Sequence, residues 1–312
     1  MHRASNGPLW PEYASANLGL PYVEANNYAQ CGASSSNVRS QVNNLRIPTK
    51  PQLSLYSLWA GDGEFFRAIP GVSGYLPVTN VTAWNFIIET MILNSSNAVA
   101  TLYAKGGRAI LTSAGEIPNS ALTNLPPTSS WGLTPAEQAL EQSYELRFQT
   151  GFYDAMRTFS QTKPDLRLIS VDVLSKLYDV VANPSLFGVT KTEIDALDDT
   201  SLTNKSFTGP GADYMFWNSA HPTTKVHRQI AAWNVEALTN SVLEELGATL
   251  ANGFASIRMN RLLIGRDYTL QTSSDLKAWN DVQTFTAAAG TNQWSGADSN
   301  SESGYFRLKW EK

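Results

Sequence analysis

The sequence predicts an α/β fold, a mostly parallel sheet sandwiched by helices, with a small antiparallel β module at the C-terminal end. Three observations carry that reading. Short apolar runs alternate with longer segments of helical periodicity, which is the pattern of βαβ units. Both segment types are apolar enough to cover a sheet on two faces. After Gly253 the texture changes to period-two alternation broken by Ser, Asn and Gly turns.

Four runs read as strands: Tyr22-Val23 leading to Asn27-Tyr28-Ala29, Leu53 to Ala60, Arg108 to Thr112, and Leu166 to Val171. Between them, Val81 to Tyr103 places Trp84, Ile87, Ile88, Met91, Ile92, Val99 and Leu102 mostly on one helical face. Pro135 to Thr158 opens on a Thr-Pro helix start and carries Leu140, Tyr144, Leu146, Phe148, Phe152 and Met156. Residues 119–131 and 183–211, rich in Pro, Ser, Thr and Gly, read as loops, either over a site or as surface insertions. In the tail, Asp267 to Thr272, Leu276 to Trp279, Val282 to Phe285 and Tyr305 to Trp310 read as strands. The division expected is an α/β domain over 1–250 and a β module over 255–312. Trp279, Trp294 and Trp310 are expected in the core of that module, the competing reading being a glycan-binding face.

Composition narrows the function. The chain has 312 residues, is 42% hydrophobic and 16% charged, and carries a net charge of -4. Such a balance gives no basic field for nucleic acid and no polybasic patch for anionic lipid. No apolar run approaches the roughly 20 residues a bilayer span needs, so no stable membrane insertion is expected. The single cysteine, Cys31, excludes an intrachain disulfide and any multi-cysteine metal site. Neither a metal nor a cofactor is expected. The first ten residues lack the apolar core of a signal peptide. A secreted or periplasmic location is expected if the true start lies upstream of Met1.

The most informative stretch is Phe216-Trp217-Asn218-Ser219-Ala220-His221-Pro222-Thr223-Thr224, leading into the helical pattern KVHRQIAAWNVEAL. Pro222 is expected at the first helical position, with Thr223 and Thr224 satisfying free amides there. A histidine so held, at the rim of a sheet, is placed for general-base work. His227, six residues further on, reads as a structural histidine. Asp213 lies upstream across a strand and is a poor partner for His221.

Four segments in order carry a family resemblance. The stretch Phe216 to Thr223 resembles the last conserved block of the SGNH (GDSL-type) ester hydrolases, Phe-Trp-Asp-x-x-His-Pro-Thr. Arg3, Ser5-Asn6-Gly7 and Trp10 resemble the segment that follows the family's nucleophile. Asn27 to Ser34 resembles the second block, whose glycine lends an oxyanion-hole amide, and Gly32 holds that position. Leu58 to Phe66 resembles the third block, Trp-x-Gly-x-Asn-Asp. The resemblance covers roughly residues 3–245.

It implies a flavodoxin-like sheet and hydrolysis of carboxylic esters through an acyl-serine intermediate, with a small ester or lipid as substrate. His221 would be the general base and Gly32 an oxyanion donor. Two positions depart: Asn218 stands where the family has its catalytic Asp, and Gly63 where it has an oxyanion Asn. A carboxamide orients an imidazole but supplies no charge for the imidazolium. Losing one oxyanion donor costs about 2.7–4 kcal/mol of transition-state stabilisation, and Asn80 is one candidate to replace it.

The Gly-Asp-Ser block of the family's first strand is absent, so the nucleophile is unknown. Ser34, Ser35, Ser36 and Ser219 read as caps or turn residues. Cys31 reads as a buried, unreactive thiol with no histidine nearby in sequence. In the flavodoxin order the first strand is central, and its absence strips ladder partners from two strands. Hence the expectations compete: an esterase or lipase whose nucleophile segment is truncated from the chain, a sheet that closes differently or with a strand borrowed from a second protomer in a homo-oligomer, or a non-catalytic binding or structural protein keeping the hydrolase fold. Negligible hydrolysis of a short p-nitrophenyl ester is the expectation for the chain as written.

Overall fold

The computed structural model describes residues 5–115, 133–163, 165–219, 221–241, 246–251, 254–260, 262, 266–288, 291–297 and 305–310. Its centre is a three-stranded parallel sheet in the order β1 (Leu55–Ala60), β2 (Ala109–Ala114), β3 (Arg167–Ser170). All six residues of β2 are buried, as the middle strand of a sheet covered on both faces requires. Successive side chains face opposite ways. Ile110 and Leu58 join one core, with Trp84, Ile88, Met91, Phe148 and Phe152. Leu111 joins the other, with Ile169, Leu177, Phe216, Val226 and Ile230.

The helices that cover these faces are α1 (Trp10–Asn17), α2 (Ser35–Asn43), the short α3 (Asp62–Phe65), α4 (Val81–Ala104), α5 (Pro135–Gln161), α6 (Val173–Ala182) and α7 (Thr224–Ser241). The expected periodicities of α4 and α5 therefore form helices with nearly the expected bounds, except that Leu146, expected with the apolar residues of α5, lies off the Tyr144–Phe148–Phe152 face and is exposed. Thr134 caps α5 in a capping box with Glu137, which explains why the Thr-Pro start works. Phe65, Trp84 and Tyr144 stack in series, with centroids 5.7 and 5.6 Å apart. That stack locks α3, α4 and α5 together below the end of β1.

Two expectations about strands fail. Residues 22–29 form no strand but a 3-10 turn over Glu24–Asn26 and irregular backbone. In the flavodoxin order that strand pairs only with the central first strand. Among the described residues no strand lies beside this segment to take up its ladder, and Leu20 and Val23 are exposed. Among the described residues β1 is an edge strand. Leu276 to Trp279 is a turn rather than a strand, because Asp275 captures the amides of Lys277 and Ala278 at 2.8 and 3.0 Å. Leu276 there adopts φ 63°.

The tail forms two antiparallel sheets. One has the order β10-β7-β6, from β6 (Leu246–Ala251), β7 (Phe254–Asn260) and β10 (Thr291–Ala297). The other has the order β11-β8-β9, from β8 (Asp267–Ser273), β9 (Asn280–Thr286) and β11 (Tyr305–Trp310). Strand β6 starts before residue 250 and pairs with β7. Ile257, Met259, Tyr268 and Leu270 form a core on which Trp294 packs, while Trp279 lies under the Arg307 guanidinium at 4.1 Å. The expected loop at 119–131 lies outside the described residues. The other, 183–211, holds two short 3-10 turns, Pro184–Phe187 and Pro210–Asp213.

Candidate active site

His221 does not sit on the parallel sheet. It lies on a two-residue strand, β5 (His221–Pro222), paired antiparallel with β4 (Phe216–Asn218) in a separate small sheet. Pro222 opposes Phe216 and precedes the helix by one residue, so α7 begins at Thr224 instead of at the proline. Thr223 is buried and donates its hydroxyl to the Tyr214 carbonyl at 2.7 Å. The amide of Thr224 is satisfied from a distance, by the Asn6 carboxamide oxygen at 2.6 Å. Ser5 donates to the Pro222 carbonyl at 2.8 Å, and Thr224 donates to the Pro8 carbonyl at 2.8 Å. The Ser-Asn-Gly segment thus clamps the turn that carries His221.

The imidazole has two partners. Nδ1 lies 2.9 Å from Asn218 Oδ1, and Nε2 lies 3.0 Å from Cys31 Sγ. The first contact makes Nδ1 the proton-bearing nitrogen, since a carboxamide oxygen only accepts. Nε2 then presents its lone pair to the thiol. Partial burial lowers the His221 pKa below the ordinary histidine value and favours the neutral ring. Asp213 is elsewhere: it pairs with Lys225, and its carbonyl accepts from Thr190. His227 is the structural residue expected, buried in α7 with its pKa pushed down to about 3 by burial and then by the neighbouring His221.

Cys31 corrects the sequence reading. The thiol is exposed, and its histidine is 190 residues away in sequence. Sequence distance hid the contact. The signal available was that Cys31 immediately precedes Gly32 in one family-like block and His221 lies in another. Gly32 adopts φ 68°, and nothing lies within 4 Å of where a Cβ would stand. Its amide has no hydrogen-bond partner among the described residues. That turn is the open side of the site.

The third block plays a different part. A Cβ on Gly63 would lie 2.5 Å from the Ala33 carbonyl group and 2.6 Å from the Ser34 nitrogen. The backbone that follows Gly32 therefore rests directly on Gly63, in the space an asparagine side chain would need. Glu64 fixes the same segment, accepting from the Ser35 amide and hydroxyl at 2.7 and 2.6 Å. Asn80 is the N-cap of α4, its carboxamide oxygen accepting from the Ala83 amide at 3.2 Å. The serines are turn and cap residues: Ser34 caps α2, Ser35 binds Glu64, and Ser36 bonds Ser34. None of them is hydrogen-bonded to His221.

A recess of about 470 Å³ lies beside the Cys31 turn, lined by Asn27, Tyr28, Gln30, Asn37, Gln41 and Asn44 among others. Its lining carries carboxamides and no charge. Among the described residues there is no cluster of three or more His, Cys, Asp or Glu that would hold a metal ion. None of the described helices is long and apolar enough to cross a membrane.

No protein-family model matches the chain. A curated plant protein does: the GDSL esterase/lipase APG of Arabidopsis thaliana, 29% identical over 161 residues, covering 45% of this chain. The match spans 42% of that protein's length, less than half of it. This partial, distant likeness supports a hydrolase of the GDSL type.

Proposed function

We propose that the protein hydrolyses carboxylic esters, as a GDSL-type hydrolase in which His221 is the general base and Asn218 orients it. The observation that carries this reading is the pair of contacts on one imidazole, Asn218 Oδ1 at 2.9 Å on Nδ1 and the Cys31 thiol at 3.0 Å on Nε2. A neutral ring, oriented from behind and presented to a proton donor in front, is what general-base catalysis requires. Gly32 supplies an oxyanion donor from the adjacent turn. Gly63 acts as the seat for that turn, with no donor of its own. The likeness to a plant esterase/lipase agrees with the reading.

The test is turnover of p-nitrophenyl butyrate by the purified chain, compared with His221→Ala. A loss of kcat/KM of about 100-fold or more is expected, the usual size of a general-base contribution. Equal rates for the two proteins would sink the reading in favour of a non-catalytic protein with a hydrolase fold. The carboxamide-lined recess further suggests a polar, uncharged group on the substrate.

A further inference from the structure

We infer that Cys31 is the nucleophile of this site, forming a thioester with the acyl group of the substrate; the inference rests on the ester-hydrolase reading above. Three observations converge on it. The first is geometric. Sγ lies 3.0 Å from Nε2, and the opposite ring nitrogen is held at 2.9 Å by Asn218. Nucleophile, base and orienting residue thus stand in series, the Cys–His–Asn arrangement that recurs on unrelated folds.

The second is the identity of the third residue. A serine is deprotonated only as it attacks, and the imidazolium formed then needs a carboxylate to stabilise it. A thiol that passes its proton to the ring leaves a thiolate beside it, and this charge stabilises the imidazolium. The residue behind the ring then has only to orient it, which a carboxamide does. Asn218 is a departure when the nucleophile is serine and a fit when it is cysteine.

The third is the backbone. Gly32 follows Cys31 directly, at φ 68°, with open space at its Cα and an amide without a partner among the described residues. An oxyanion hole built on the amide of the residue after the nucleophile is a recurring solution. The glycine lets the substrate carbonyl come close.

In the acylation step Sγ bonds to the carbonyl carbon and the bond to the alkoxy oxygen breaks. The thiol proton passes to Nε2 and on to the departing alcohol. In the second step water attacks the thioester, giving its proton to Nε2. The carbon–sulfur bond breaks, and the proton returns to sulfur. No oxidant, metal or further reactant is needed.

The test uses the whole chain, p-nitrophenyl butyrate and iodoacetamide. Cys31→Ala is expected to lower kcat/KM by about 100-fold or more, to the level of His221→Ala. Acid-quenched wild-type protein should carry one butyryl group, removable by neutral hydroxylamine and absent from Cys31→Ala. Alkylation of Cys31 by iodoacetamide should slow about 10-fold in His221→Ala at the same pH, since the thiolate is the reactive form. A merely exposed thiol would keep its rate. Circular dichroism on Cys31→Ser separates unfolding from loss of chemistry. In the double variant Cys31→Ser with Asn218→Asp, activity should exceed that of Cys31→Ser alone.

Hydrolysis that persists in Cys31→Ala while still requiring His221 would overturn the thiol nucleophile and leave the ester-hydrolase reading standing. A butyryl group on Cys31, dependent on His221 but without turnover, would support the nucleophile and sink the turnover reading. Alkylation at one rate in wild type and His221→Ala, with no acyl group on Cys31, would overturn the inference.

Discussion

Asn6 caps a helix that begins 218 residues later: its carboxamide oxygen accepts the Thr224 amide at 2.6 Å. The same side chain donates to the Phe207 carbonyl at 3.3 Å, so one residue ties the N-terminal segment, the long loop and the turn bearing His221. Helix caps are usually local, and this one is not.

Replacing Asn6 by Ala is expected to destabilise the protein by about 1 kcal/mol, the ordinary loss of an N-cap. Equilibrium urea unfolding measures it. A neutral result would mean that the Thr224 amide finds water instead.

Gly63→Ala places a methyl group 2.5 Å from the Ala33 backbone, where a side-chain shift cannot relieve the clash. A destabilisation of about 1–3 kcal/mol follows. Gly63→Asn, the residue of the hydrolase pattern that this position resembles, is expected to lower activity along with stability, because the Cys31 turn must move. A gain in kcat/KM for Gly63→Asn would contradict the packing described.

Asp199 gathers four donors, Lys191 Nζ at 2.7 Å, Ser201 Oγ at 2.6 Å, Tyr214 OH at 2.7 Å and the Ser201 amide at 2.8 Å. The Lys191 ammonium first, then the two hydroxyls, hold its carboxyl well below the usual carboxylate range. A carboxylate with a depressed folded pKa stabilises the fold above its unfolded pKa, and that stability is lost as pH falls through the folded value. Asp199→Asn should therefore lower Tm at pH 6 and narrow its gap to wild type as the pH is taken below 3.8. Thermal melts from pH 2 to 6 decide it.

Glu141 behaves in the opposite sense. Burial raises its pKa to about 7 from 4.5. A raised folded pKa gives stability that is full below the unfolded value and lost as pH rises through the folded one. Glu141→Gln is expected to raise Tm at pH 8 and leave it nearly unchanged at pH 4. No difference at pH 8 would mean that the carboxylate is paired.

The layered α/β core was legible because periodicity reports burial directly: β2, β3, α4 and α5 lie where their apolar spacing puts them. Residues 22–29 misled because the same local pattern needs a neighbour that only the whole sheet supplies. Leu276 to Trp279 misled because Asp275 offers the backbone a competing partner. At the site, Asn218 beside His221 was readable from three-residue spacing. The Cys31 contact was not, since a loop's reach across 190 residues leaves no periodic trace. Gly63 was read as a lost donor, and only the packing reveals it as the floor on which the turn rests.

That floor ties position 63 to the thiol in front of His221. With the backbone of Ala33 and Ser34 settled into the space above Gly63, any side chain placed there meets main chain instead of an empty slot. Room for it opens only if the Cys31 turn lifts away, which takes the thiol off His221. Position 63 and the face of the histidine are therefore coupled through three residues of backbone.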